Sequence, residues 1–543
     1  MGKKALKAWK NANVLTMDEK MPVAEAFASD ENGNIIYVGT VQGIEAYIDD
    51  STIVEDLNGY TVAPGFIESH SHPAMYGQSL RAINVRDISK EEILDKIKEV
   101  AKTTEPGKWI VTGYGFNNEI WEESSYPTKE DLDAVAPDNP VLVPRIDGHL
   151  IWVNSKAFEV CGITKDTLDP EDGEFFRTED GNLQGCCADK ASIMIKSFIP
   201  EETIEEFTKD VLAGHDAFLS LGITAITDMS AGLKDINVVE TLMKSNEYKL
   251  RYYGCLHDFT GKNAGESEKE FLKQCPVIGK YNDRFTIRCC KYLGDGSVGA
   301  QTAHLNDDYT DRPGYKGLGM YTDEELYEAF KAAADQGMQI TIHSIGDATL
   351  EQVIRTYKRL LEEKDYGDHR WRIEHFQTVT GDTPQQAAKL HIIPSMQPMH
   401  APNSASMAIR RLGVERIHGA YAPGMLLKAT GIIALGSDAP VATPSPLSGI
   451  HAAVSRTNDA LVPKGGFCME NALTPEEALK GYTVWGAYTM FAEDKIGSLS
   501  VGKHMDFVVM DKDILSVAHT DPDDLLKINV LKTYIDGECV YKK

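Results

Sequence analysis

Short apolar, β-branched runs recur along this chain near residues 62 to 68, 223 to 228, 250 to 256, 285 to 293, 339 to 343, 371 to 375, 392 to 396 and 432 to 437. From Gly222 onward they alternate with stretches of helical period, such as Asp323 to Gln336 and Thr349 to Glu363. Strand-like runs separated by amphipathic helices read as βα units around a parallel sheet. The eight runs match the strand number of a closed barrel, so the pattern predicts an α/β protein built on a (β/α)8 TIM barrel.

Two regions fall outside that count. The N-terminal segment carries Ala12 to Met17 and Ile35 to Val38 on either side of the Asn32-Gly33-Asn34 turn, and the C-terminal segment has a similar texture around Gly497 to Met510 and Val530 to Tyr541. Gly- and Asn-rich turns between short apolar runs predict a meander of strands at each end. The other region follows the first run, at about 73–205, and is too long to be a plain loop in a compact domain. It predicts a structured, cap-like insertion that shapes the substrate pocket. The expected division is a small β-sandwich of residues 1–61 plus 491–543 and a barrel domain of residues 62–490 that carries the insertion.

Composition narrows the function. The formal charge of −27 argues against nucleic acid, whose binding rests on cationic neutralisation of phosphates. No apolar run is long enough to span a bilayer, and the basic start at Met1 to Lys7 lacks the apolar core of a signal peptide, so a cytoplasmic protein is expected. The nine cysteines include no Cys-x-x-Cys pair; Cys186-Cys187 and Cys289-Cys290 are adjacent, which suits reduced thiols.

Several of the strand-like runs end in residues suited to metal chemistry. His70 and His72 are spaced i, i+2, so on a strand both imidazoles face one side and can reach one ion. Lys291 shares the parity of Ile287, Cys289 and Leu293, where a charged amine is expensive to bury unless its charge changes, it snorkels to solvent, or it pairs with an acid such as Asp295. His343 and His375 each close an apolar run, and Asp438 ends the last one. Taken singly, each has a bland reading: a structural histidine, or a helix N-cap at Asp438.

The stretch Pro64-Gly65-Phe66-Ile67-Glu68-Ser69-His70-Ser71-His72 resembles the first barrel strand of the amidohydrolase superfamily, and Gly436-Ser437-Asp438 its eighth. Ser498 to Phe507 resembles its Gly-x-Leu-x-x-Gly-x-x-Ala-Asp pattern, with Met505 in the small-residue position. Within and after the insertion, Asp147-Gly148-His149, Trp152-x-Asn154-Ser155, Lys291 to Ser297 and Gln301-Thr302-Ala303 resemble the branch that includes N-substituted formamide deformylase.

The resemblance implies the β-sandwich formed by the two chain ends. It also implies a centre in which His70, His72 and Asp438 hold one divalent ion and His343 and His375 a second, bridged by carboxylated Lys291. One or two ions are expected, Zn2+ foremost, with iron, manganese or nickel also suited to these ligands. The implied reaction is hydrolysis of a non-peptide C–N bond of a small molecule, amide, formamide or cyclic amide, with Asp438 and Lys291 as catalytic residues. A lactone or phosphate ester is the alternative substrate, and a non-catalytic binding homologue the third reading. His149, His400, Asp295 and Gln301 are candidate substrate contacts, against structural histidines and turn chemistry as alternatives. A homodimer is the commonest assembly for such enzymes.

Overall fold

Gly65 divides what reads as one apolar run into two strands belonging to different sheets. Thr61–Pro64 pairs with Phe507–Met510, whereas Phe66–Ser71 (β1) begins the barrel. The Gly65 amide donates to the Asp506 carbonyl at 3.0 Å, and the Phe66 amide turns to the Gly222 carbonyl at 3.0 Å. A Cβ at position 65 would lie 2.1 Å from Thr224 Oγ1, so the crossover between sheets requires glycine. The run expected at 62 to 68 is thereby corrected.

The computed structural model describes residues 4–543 except 87, 114, 119–120, 124, 146–149, 171–172, 258 and 262–263. It resolves into two compact units: Met1–Pro73 with His215–Lys543, and Ala74–Gly214.

In the first unit β1 is followed by Ile223–Ala231 (β2), Arg251–His257 (β3), Phe285–Leu293 (β4), Gln339–Ser344 (β5), Arg372–His375 (β6), Ile393–Met396 (β7) and Ala434–Leu435 (β8). These strands pair in sequence order, all parallel, in one sheet. The ends of that sheet meet: the Asp438 amide donates to the His70 carbonyl at 2.7 Å and the His72 amide to the Ala439 carbonyl at 2.9 Å. Helices intervene as the sequence pattern demands. The helix Asp323–Asp335 starts at Thr322, whose hydroxyl accepts from the Glu325 amide while the Glu325 carboxylate accepts from the Thr322 amide, a reciprocal cap that satisfies two otherwise orphaned donors.

The chain ends contribute two further sheets to this unit. One contains Asn13–Leu15, Val23–Ala24, Thr61–Pro64, Phe507–Met510, Val530–Ile535 and Glu538–Lys542; the other contains Lys7–Lys10, Ala26–Ser29, Ile35–Gly39 and Ile53–Asp56. Trp9 and Phe27 from the second meet Phe507 and Tyr534 from the first in one apolar cluster that also buries Met505. Arg251, at the start of β3, ties the C-terminal strands down: its guanidinium donates to Asp506 at 2.6 and 2.8 Å and to Asp536 at 2.7 Å.

The second unit, Ala74–Gly214, overlaps the stretch at about 73–205 expected as an insertion. Its five-stranded sheet runs Gly173–Arg177, Leu183–Asp189, Leu150–Val153, Val141–Pro144, Ile110–Val111. Alternation splits these strands between two cores. Val141, Val143 and Trp152 pack with Ile93, Ile97 and Phe116, whereas Leu142, Ile151 and Val153 pack with Phe158 and Ile195. Asn154 of the Trp-x-Asn-Ser motif is structural. Its Oδ1 accepts from the Val141 and Ala157 amides, capping the helix Ser155–Cys161, and its Nδ2 donates to the Ala136 and Asn139 carbonyls.

Candidate metal centre

Asp438 sits one turn past β8 with φ at +60°, a left-handed conformation that Asp adopts more readily than most residues. This geometry, set by the seam with β1, places its carboxylate among histidines from other strands. Oδ1 lies 3.3 Å from His70 Nε2 and 3.2 Å from His72 Nε2. Oδ2 lies 3.9 Å from His400 Nε2. The His70 and His375 rings are 4.9 Å apart between centroids, and those of His343 and His375 4.4 Å.

Two groups of three donors share the Asp438 carboxylate: His70, His72 and Asp438, and His375, His400 and Asp438, with ligand atoms in each group within 4.8 Å of one another. His70 Nε2 is buried and has no hydrogen-bond partner among the described residues. A buried, unsatisfied imidazole nitrogen is costly unless something electrophilic takes its lone pair. The first group, two imidazoles and a carboxylate, therefore fits a divalent ion.

The other nitrogen of His70 is held firmly. Its Nδ1 lies 2.6 Å from Glu374 Oε2, and Glu374 Oε1 accepts from Thr341 Oγ1 at 2.5 Å and forms an ion pair with the Arg372 guanidinium, 2.8 Å from its Nε. Arg372 is fully buried and also donates to the Ser69 carbonyl and Ser395 Oγ. Burial alone would raise the Glu374 carboxyl, but Arg372 and His70 outweigh it and hold the group well below the usual carboxylate range. Glu68 spans the barrel seam: its Oε1 accepts from the His70 amide at 3.0 Å and from the Ser437 amide at 2.9 Å, and burial pushes its pKa up to about 7.

Lys291 is buried, in register with His257 on one side and Thr341 on the other. Burial lowers its pKa against the pull of Glu374 and Asp438. Burial and the Lys291 charge likewise lower His343 to about 4. The Asp438 carboxyl, which burial would raise, is held well below its ordinary value by His70 and His72.

The remaining sequence candidates are distributed unevenly. His400 lies at the centre, beside Asp438. Asp295 is buried within 3.7 Å of His343 Nε2, but its carboxylate accepts from the His304, Ile345 and Gly346 amides, so its immediate work is to hold a loop. Gln301 donates to Asp311 at 3.0 Å from a left-handed position in a turn, as the turn reading expects. His149 lies outside the described residues. Glu374, Glu68 and Gln397 were missed. The available signal for Glu374 was Arg372 and Glu374 at i, i+2 in a short strand otherwise made of buried positions, where two charges persist only if paired.

Fold and site together describe a metal-dependent-hydrolase type of barrel, and comparison with known proteins agrees. The amidohydrolase family model matches residues 54–541, and the chain belongs to that family. It is 29% identical to Protein LONG AFTER FAR-RED 3 of Arabidopsis thaliana over 555 residues, covering 98% of this chain and 91% of that one. It is 25% identical to N-substituted formamide deformylase of Arthrobacter pascens, covering 98% of each. Among solved structures, an uncharacterized metal-dependent hydrolase from Pyrococcus furiosus superimposes with a TM-score of 0.76 at 26% identity, over 94% of this chain and 99% of that one.

Proposed function

We propose that this family member hydrolyses a non-peptide C–N bond of a small molecule, an amide, formamide or cyclic amide, with a divalent ion, Zn2+ foremost, held by His70, His72 and Asp438. The observation that carries the reading is the Asp438 carboxylate lying 3.2–3.3 Å from two imidazoles. Likeness to N-substituted formamide deformylase supports the choice of bond.

A divalent ion in such a site supplies Lewis acidity, polarising a scissile carbonyl and making water more acidic. The chain does the rest. Asp438, kept anionic by its histidine neighbours, takes a proton from the attacking water and returns it to the leaving nitrogen. Glu374 fixes the His70 ring by its Nδ1, leaving Nε2 as the nitrogen that would hold the ion. Lys291, shifted toward its neutral amine by burial, adds carbon dioxide to form an anionic carbamate with release of a proton. The paired end sheets serve as the β-sandwich side domain.

The test is a substrate panel on metal-loaded protein, set against chelator-treated protein. Metal-dependent turnover of N-substituted formamides or cyclic amides carries the proposal. Turnover confined to lactones or phosphate esters would move the function to those centres, and bound metal without turnover of any substrate would favour a binding protein.

A further inference from the structure

Two short turns of the first unit set three unlike donors side by side. The turn Ile417–Gly419 carries His418, and the turn Met469–Asn471 carries Glu470, with Cys468 immediately before it. An imidazole nitrogen, a thiol sulfur and a carboxylate oxygen of these residues lie within 4.8 Å of one another, the sulfur half-buried and the other two open to solvent. His418 Nδ1 is 2.7 Å from Glu470 Oε1, and the Cys468 thiol donates to the Ile417 carbonyl at 3.5 Å. The hydrogen bond with His418 holds the Glu470 carboxyl below its ordinary value, so that group is anionic at neutral pH. Buried polar side chains fix the backbone beneath. Asn471 Nδ2 donates to the His418 carbonyl at 3.0 Å, and its Oδ1 accepts from the Met425 amide at 3.3 Å, which ties one turn to the other. Arg456, fully buried, donates through Nε to the Phe467 carbonyl at 2.9 Å and through Nη2 to the Tyr421 carbonyl at 2.7 Å. Cys468 itself sits at φ +49° and ψ +63°, a left-handed conformation that is costly for a cysteine and is held by this frame.

We propose that His418, Cys468 and Glu470 form a surface site for a thiophilic divalent cation, Zn2+ by its donor set, which shares no residue with the centre at the barrel strand ends. Hard cations such as Mg2+ and Ca2+ select oxygen donors, whereas Zn2+ accepts thiolate, imidazole and carboxylate together. Three side chains on an exposed surface leave the last tetrahedral position to water. Binding balances by loss of one proton. The thiol proton leaves to solvent as the sulfur–metal bond forms, and the hydrogen bond between His418 and Glu470 gives way to two bonds to the ion. The His418 ring stays neutral, with one nitrogen bound and its proton on the other. One divalent cation then meets one thiolate and one carboxylate, so the charges of the occupied site cancel. The ion would clasp turns whose donors His418 and Glu470 stand 52 residues apart in the chain. The first of these turns also backs the chain leaving β6, since the Val379 amide donates to the Gly419 carbonyl and the Tyr421 amide to the Gln377 carbonyl, each at 2.8 Å.

The experiment titrates reduced, full-length protein with Co2+ and reads absorption, independent of activity. Wild type is expected to develop a thiolate-to-metal charge-transfer band, which Zn2+ then displaces. None of the ligands proposed for the barrel centre is a thiol, so the band reports a cysteine site alone. Cys468→Ser should abolish it, whereas Cys539→Ser, which removes the exposed cysteine, should leave it unchanged. His418→Ala and Glu470→Gln should keep the thiolate and weaken Co2+ binding about tenfold or more, at least the effect of disturbing a partner of a metal ligand. These two variants also cover the case in which Cys468→Ser fails to fold. A wild type without the band, a band that survives Cys468→Ser, or unchanged Co2+ affinity in either His418→Ala or Glu470→Gln would overturn the inference. Each of those results leaves the metal-dependent reading of the barrel centre where it stands, because that reading turns on His70, His72 and Asp438.

Discussion

Asp438 holds a left-handed backbone and faces histidines with both oxygens, so its replacements must respect the backbone before they can report on chemistry. Asparagine tolerates positive φ better than other residues of that size, so Asp438→Asn isolates the loss of the carboxylate charge and base. At saturating metal, needed because the same carboxylate is a proposed ligand, turnover should fall by about 10²- to 10⁴-fold or more, the usual worth of a positioned acid–base group. Full activity in that variant would remove Asp438 from the proton-transfer role. Glu374→Gln keeps an acceptor for His70 Nδ1 but leaves the Arg372 guanidinium buried without its anion. Metal affinity should weaken roughly 10- to 100-fold, and stability should drop by about 3–5 kcal/mol; chelator competition and thermal melting read the two separately, and unchanged affinity would reduce Glu374 to a purely structural partner of Arg372. The strand-end residues were legible because parity and order sufficed: His70 and His72 at i, i+2, then Lys291, His343, His375 and Asp438 in turn. Glu374 was invisible as a partner of His70 because their contact depends on how β6 lies across the barrel from β1, which no local pattern encodes.

At the scale of elements, the barrel's order and its strand ends could be read from alternating periods, whereas the break at Gly65 could not. Val62 to Ile67 is apolar throughout, and only Pro64-Gly65 punctuates it, so the transfer of the chain from an end sheet into β1 left no polar gap. Pairing between the chain ends was likewise a matter of texture, since sheet partners hundreds of residues apart share no local signal. Two contacts carry that architecture and can be tested. The first is the β1–β8 seam, where a Cβ on Gly436 would lie 2.4 Å from Glu68 Oε1 and 2.6 Å from the His70 amide. Gly436→Ala should destabilise by about 1–3 kcal/mol, as overpacking does, and weaken metal retention at the same time; a stable variant with normal metal content would show that the seam relaxes freely. The second is Arg251 with Asp506 and Asp536, where burial would raise the Asp536 carboxyl but His504 and Arg251 hold it well below its ordinary value. A carboxyl depressed in the folded state stabilises above its unfolded pKa, about 3.9, and that contribution is lost as pH falls from there toward the folded value. Arg251→Met should therefore cost about 3–5 kcal/mol at neutral pH, chiefly by leaving the buried Asp506 carboxylate without its cation. The gap to wild type should shrink below about pH 4, and denaturant melts at both pH values would show it; a gap independent of pH would mean the contact contributes only packing.

At the scale of the whole molecule, the proposed ligands and the second unit respond differently to metal. His70, His72 and Asp438, the proposed ligands, all belong to the first unit, at the end of β1 and past β8. Ion binding therefore requires the first and last barrel strands to be joined, an arrangement that the unfolded chain cannot present. A ligand that binds only the folded state stabilises it by about 2.7 kcal/mol when free metal exceeds its dissociation constant by about a hundredfold. The 74–214 unit has two cores of its own, one on each face of its sheet, and contains none of the proposed ligands. Its local stability is set by that packing, so chelation should act unevenly along the chain. Hydrogen exchange with and without chelator should show faster exchange across Phe66–Ser71, Arg372–His375 and Ala434–Leu435, with little change across Val141–Pro144, Leu150–Val153 and Leu183–Asp189. Equal loss of protection in both sets would mean that the molecule opens as one cooperative body and that the ion supports the insertion as much as the barrel. No change in either would mean that the barrel seam is held by Glu68 and its backbone hydrogen bonds alone, with the metal a passenger in a site already formed.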